Sequence, residues 1–264
     1  MNIRDYMARD GEKPLDNIVP DGGFFKIFRT VGCIGDSLSS GEFESCDENG
    51  EKGYHDYYEY SWGQYMAREA GVKVFNFSRG GMTAKEYMES FSEKKNFWDD
   101  EYVCQAYIIA LGVNDLLNKG YKPGSTDDIN KNDYTKNAGT FAGNYAKIIQ
   151  RLKEKQPKAR FFLMTMPRTV KEGEEMKEKH ANLLYDLAEF FEYTYVLDFY
   201  KYAPVYDAEF KRNFFLAGHM NPMGYILTAK MTMSYIDYIV RNNPEDFSQV
   251  GFIGKGVHNV NAKW

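Results

Sequence analysis

Short apolar runs alternate along the chain with longer stretches in which apolar residues recur every three or four positions. The runs cover residues 27–34, 73–77, 103–111, 160–166 and 194–199, and the periodic stretches cover 58–70, 84–91, 134–155, 174–191 and 222–241. Short apolar runs fit strands buried on both faces of a sheet, whereas the longer periodic stretches fit amphipathic helices. Strand and helix in alternation predict β-α units, and hence an α/β three-layer α/β/α sandwich around a parallel sheet of about five strands. The polar insertions "ENGEKGYHDYYEY" and "NKGYKPGSTDDINKNDY" read as loops. Residues 1–26 and 242–264 fall outside the alternation and are expected to drape over the sandwich, as peripheral extensions of a single domain spanning 1–264.

Composition narrows the class. With 264 residues, 43% hydrophobic and 27% charged, the chain can bury a substantial core, and its usage is that of an ordinary globular protein. A net charge of -5 with no basic cluster argues against a nucleic-acid partner. Cys33, Cys46 and Cys104 cannot all pair within one chain, and two of them lie in apolar runs, so reduced thiols are expected. No run approaches the ~18 apolar residues of a membrane span, and the N-terminus lacks the apolar stretch of a secretory signal. The expectation is a cytoplasmic protein with no membrane partner.

Parallel strands deliver their carboxyl ends to one sheet edge, so residues just past each run become neighbours. The first run is followed by Gly35, Asp36 and Ser37, the second by Ser78, Arg79, Gly80 and Gly81, the third by Gly112, Asn114 and Asp115. His219 stands just before the last helix, whose first turn accepts Pro222. A hydroxyl nucleophile needs a base and a set of donors for an oxyanion. Ser37 and His219 supply the first pair. The Ser37 N–H opens a helix, Gly81 can present a second N–H with no Cβ in the way, and the Asn114 amide can supply a third donor. A serine here also serves as an ordinary helix cap, and only its company favours chemistry. Asp36 and Asp115 read as structural, Asp36 accepting backbone N–H groups beneath the site and Asp115 capping the following turn. His55, His180 and His258 have no such company and are expected to face solvent, and no pair of them has metal-ligand spacing. Arg79 reads as a solvated loop arginine, and the tyrosines of "YHDYYEYSWGQY" as packing and loop surface.

These residues fall in four ordered blocks. "GDSLSSGE", "NFSRGGMT", "LGVND" and "GHMNPMGY" resemble the four conserved blocks of the GDSL or SGNH hydrolases, and they cover most of the chain. The resemblance implies a flavodoxin-like α/β/α sandwich with no metal or organic cofactor. It also implies Ser37 as nucleophile and first oxyanion donor, Gly81 as second and Asn114 as third, with His219 as general base. Gly81 is preferred to Gly80 because the family's glycine stands shortly before a threonine, here Thr83. One position departs from the pattern: the Asp that commonly stands three residues before the His is Leu216 here. Losing such a group in a triad enzyme costs on the order of 10⁴ in turnover. Three substitutes are open: a backbone carbonyl in the turn at 215–218, Asp207 or Glu209 upstream, or Glu42 or Glu44 after the nucleophile. The carbonyl ranks first, since it can select the tautomer without charge.

The leading expectation is a serine esterase working through an acyl-enzyme on a small-molecule ester, with acetyl on a carbohydrate favoured because no segment reads as a lipid-binding lid. The alternatives are a catalytically degenerate binding module on the same fold, or acyl transfer to an alcohol. Phosphate binding of the flavodoxin kind is disfavoured, because Gly-Asp-Ser lacks a glycine-rich anion loop.

Overall fold

The computed structural model describes residues 4–170 and 173–264. Among them, five strands form one parallel sheet: β1 (Thr30–Gly35), β4 (Lys73–Asn76), β5 (Ala106–Ala110), β6 (Arg160–Met164) and β7 (Thr194–Leu197), in the order β4-β1-β5-β6-β7. All four pairings are parallel, with Cys33 opposite both Asn76 and Ile108. The sheet is thus the one expected, with about the expected number of strands.

Side-chain alternation along each strand feeds two cores. Val31, Cys33, Ala106, Ile108, Phe162 and Met164 point to one face, Ile34, Tyr107, Ile109, Phe161 and Leu163 to the other. The helices α2 (Trp62–Ala70) and α6 (Pro222–Asn242) cover the first face, together with a turn of 3-10 helix at Pro20–Ile27. The helices α3 (Phe141–Lys155) and α4 (Glu174–Phe190) cover the second. Caps fix where these helices begin: Ser61 accepts the Gln64 N–H, Thr140 the Gly143 N–H and Asn221 the Gly224 N–H. They explain why α2 and α3 start later than the apolar periodicity suggests. The first strand likewise starts at Thr30 rather than at 27. Cys33 and Cys104 are buried free thiols, as expected.

The polar insertion at 48–60 is not all loop. Lys52–Asp56 (β3) pairs antiparallel with Glu42–Cys46 (β2) around a turn at Asn49 and Gly50, where Gly50 takes φ +84° and Asp47 Oδ1 accepts the N–H groups of Asn49 and Glu51. Two further elements close to His219 in sequence escaped the periodicity reading. They are a helix α5 (Ala208–Phe214) and a two-residue hairpin of β8 (Phe215–Leu216) and β9 (His219–Met220). No helix among the described residues is long and apolar enough to cross a membrane.

Candidate active site

β1 ends at Gly35 and the chain turns at once into the single-turn helix α1 (Ser37–Ser40). The turn needs glycine, because a Cβ at Gly35 would collide with the Ser39 side chain. Asp36, not Ser37, is the cap: its Oδ1 accepts the Leu38 N–H at 3.1 Å. Ser37 therefore sits at the first helical position, half-buried, with its hydroxyl free of capping and its N–H without an intrahelical acceptor.

The two proposed partners at the oxyanion come from the neighbouring strand ends. Past β4 the chain turns through Gly81, whose φ of +71° lies in the left-handed region and whose Cα faces open space. Past β5 it turns through Gly112 (φ +139°), where a Cβ would stand 2.6 Å from His180 Nε2. That turn aims Asn114 back towards β1. Its Nδ2 donates to Met82 O at 3.2 Å and to Asp36 Oδ2 at 3.4 Å, while its Oδ1 accepts from Asn118 at 2.7 Å. Ser37, Gly81, Asn114 and His219 all line one cleft of about 340 Å³ at the carboxyl edge of the sheet.

His219 reaches that cleft from the β8–β9 hairpin, whose turn holds Ala217 at φ +51° and whose second strand lies beside β2. The turn carbonyls do not meet the ring. Instead, Nε2 lies 3.0 Å from Glu42 Oε1 and Nδ1 3.4 Å from Glu44 Oε2, which overturns the ranking that placed a backbone carbonyl first. Asp207 is occupied as the N-cap of α5, accepting the Phe210 N–H, and Glu209 is exposed. The Tyr54 ring packs edge-on against His219 at 5.9 Å.

Strand geometry puts both glutamates on this side. Glu42 and Glu44 are two residues apart on β2, so they share a face, and Phe43 between them turns away to pack on Tyr225 at 5.4 Å. The two differ in surroundings. Glu44 is buried, its Oε2 accepts the Gly218 N–H at 2.8 Å and its Oε1 pairs with Lys52 at 2.6 Å. Lys52 first, then the Gly218 N–H, hold its carboxyl below the usual carboxylate range. Glu42 opens on the cleft, and burial raises its carboxyl against the opposing pull of His219.

Beneath the cleft lie two more buried carboxyls, both pushed up by desolvation: Asp36 to about 6 and Asp115 to about 7. Asp115 accepts the Ala84 N–H at 2.9 Å and so anchors the segment after Gly81 rather than capping the turn that follows it. His180 is fully buried and does not face solvent as expected. Its Nε2 meets Leu111 O at 3.1 Å and its Nδ1 accepts the Met166 N–H at 3.4 Å, tying the ends of β5 and β6 together, and burial lowers it to about 4. His55 and His258 are exposed, as is Arg79, which pairs with Glu86. Sequence reasoning passed over Lys52 and read Tyr54 only among packing and loop-surface tyrosines, although the alternation Glu-Phe-Glu followed by Asn-Gly was a readable hairpin signal.

Three solved esterases share this fold. One is a family two carbohydrate esterase from Clostridium thermocellum, solved with cellohexaose, at a TM-score of 0.55 and 16% identity over 89% of this chain and 66% of that one. The second is Est24, a carbohydrate acetylesterase from Sinorhizobium meliloti, at 0.53 and 15% over 80% and 99%. The third is the psychrotrophic esterase EstA from Pseudoalteromonas sp., at 0.53 and 16% over 80% and 98%. No curated protein matches the chain. At such identities the likeness is one of fold. The sequence itself carries the family: a model described as the GDSL-like Lipase/Acylhydrolase family matches residues 33–227, from the end of β1 into α6. With the match running across most of its length in this way, the chain belongs to the GDSL-like lipase/acylhydrolase family of ester-bond hydrolases.

Proposed function

We propose that the protein is a serine esterase that removes small acyl groups, acetyl above all, from a carbohydrate through an acyl-enzyme on Ser37. The observation that carries this reading is the convergence of Ser37, Gly81, Asn114 and His219 on one cleft. In the reaction, Ser37 Oγ attacks the ester carbonyl carbon while His219 Nε2 takes the hydroxyl proton. The negative oxygen is received by the N–H groups of Ser37 and Gly81 and by Asn114 Nδ2. Collapse of the tetrahedral adduct expels the sugar alkoxide, which takes its proton from the imidazolium, and water then releases the acyl group by the reverse path.

Two features of the resting site have to yield. Glu42 must surrender Nε2, and Asn114 must exchange its long bonds to Met82 and Asp36 for a charge-assisted bond to the oxyanion, which is roughly twice as strong as a neutral one. Catalytic contacts commonly tighten only once substrate is bound. A short acyl group is favoured by the adjoining cavity. It measures about 70 Å³, is lined by Leu38, Val113, Met166 and Pro167, and shares Asp36 and Leu38 with the cleft. The shared fold with two carbohydrate esterases favours a sugar as the alcohol.

A non-catalytic binding module is the reading that the Glu42–His219 contact would favour. Turnover of p-nitrophenyl acetate and of acetylated sugars separates the two. The esterase reading expects turnover that vanishes in Ser37→Ala and His219→Ala and falls roughly 10² to 10³ in Asn114→Ala. A wild type as inert as the variants would leave the binding module standing.

A further inference from the structure

We infer that Glu44, carried to the site on the β2–β3 hairpin, is the positioning residue that orients His219 in place of the Asp absent at Leu216. The inference rests on the reading of His219 as the base. A base must show one nitrogen to the hydroxyl and have the other anchored by an acceptor that selects the tautomer and faces the imidazolium when it forms. The two ring nitrogens of His219 are distinguished by where their partners sit. Glu42, the partner of Nε2, lines the cleft together with Ser37, whereas Glu44, the partner of Nδ1, lies behind the ring with only 3% of its side chain exposed. Nε2 is therefore the nitrogen on the nucleophile's side, and Nδ1 is the one to be anchored.

Glu44 is built to stay in place. The Gly218 N–H holds the same oxygen, Oε2, that faces Nδ1, and Lys52 holds the other. A Cβ at Gly218 would stand 2.5 Å from that Oε2, so glycine at this position is what allows the carboxylate to approach the turn. Lys52 reaches Glu44 across the hairpin, where Cys46 is paired with Lys52 and Glu44 with Tyr54, so the anchor, its counter-ion and the ring over His219 all belong to one face of one element. Glu42 cannot take this part, since a carboxylate on Nε2 competes with Ser37 for the nitrogen that must accept its proton.

The test compares Glu44→Gln, which keeps the shape and the acceptor for Gly218, with wild type, Ser37→Ala and His219→Ala in steady-state hydrolysis of p-nitrophenyl acetate. Glu44→Gln is expected to lose roughly 10² to 10⁴ in kcat with KM little changed, the signature of a lost transition-state interaction. A Glu44→Gln enzyme within about threefold of wild-type kcat, while His219→Ala is dead, overturns the inference and leaves the base intact. Activity surviving in His219→Ala overturns the base reading itself, and this inference with it. If Glu44→Gln does not fold, the imidazole nitrogen and proton resonances of wild type decide the matter. A proton on Nδ1, lost in His219→Ala, is expected, and a neutral ring protonated on Nε2 alone refutes Glu44 as the anchor.

Discussion

Two histidines stand at the carboxyl edge of the sheet, and what separates them is water and charge. His180 is sealed between a carbonyl and an N–H and holds two strand ends together, whereas His219 opens on the cleft between two carboxylates. Their sequence contexts differ only in company, which is why His219 was legible beside Asn221 and Pro222 and the burial of His180, on an apolar helix face, was not. The buried carboxyls have consequences of their own. Asp115 rises from 3.8 to about 7 in the fold, so the folded chain holds that proton more tightly than the unfolded one, and stability falls as pH rises between those values, by up to about 1.4 kcal/mol per unit. His180 drops from 6.5 to about 4 and acts oppositely, removing stability as pH falls through that window. Asp115→Asn keeps the acceptor for Ala84 and removes the first effect. Thermal melts should show the midpoint of the variant relative to wild type highest at pH 8 and declining towards pH 4. A difference that stays flat would mean that Asp115 is ionised in the fold throughout.

The element that sequence periodicity failed to find is the one that brings two carboxylates to His219. The parallel sheet is legible because each of its strands is apolar on both faces, and the strand-end blocks follow from it. β2 and β3 bury little beyond Phe43 and Glu44, so in hydropathy they look like a loop, and what ties them to the site is a contact between residues 175 apart in sequence. The same reason hid β8 and β9, which are two residues each. Departure of the anchor from its usual place, Leu216, was visible. Its replacement was one of several open candidates, because nothing local says which carboxylate the fold will carry across. The hairpin's role can be probed without touching an acid. Gly218→Ala places a Cβ against Glu44 Oε2 and should push the carboxylate off Nδ1. We expect kcat to fall at least about tenfold while the melting midpoint moves little, measured side by side. Unaltered kcat would mean that Glu44 need not be held where it lies.

Across the whole molecule, the candidate cleft and the docking of the C-terminal segment occupy opposite edges of the sheet. The cleft lies at the carboxyl edge, and the C-terminal segment closes the amino edge. Arg29 donates to Gly251 O and Ile253 O, Gln105 to Val250 O and Gly251 O, and Arg160 to Asp246 O. Phe247 packs among Phe28, Phe162 and Tyr195, and Arg241 ties Glu12 of the N-terminal segment to Asp237 of α6. We propose that both terminal segments belong to the one folding unit. Phe247→Ala should then cost about 3 to 5 kcal/mol in a single unfolding transition and leave kcat as it is, because the packing it loses is remote from the cleft. A second transition, or a loss of kcat at a temperature where the variant is folded, would contradict that separation.

The most direct measurement for the account is the site of covalent attachment of a fluorophosphonate probe, read by peptide mass spectrometry on wild type, His219→Ala and Asn114→Ala. A single phosphonyl adduct on Ser37 is expected, absent in His219→Ala and slow to form in Asn114→Ala. An adduct on any other residue, or labelling of Ser37 that ignores His219, would contradict it.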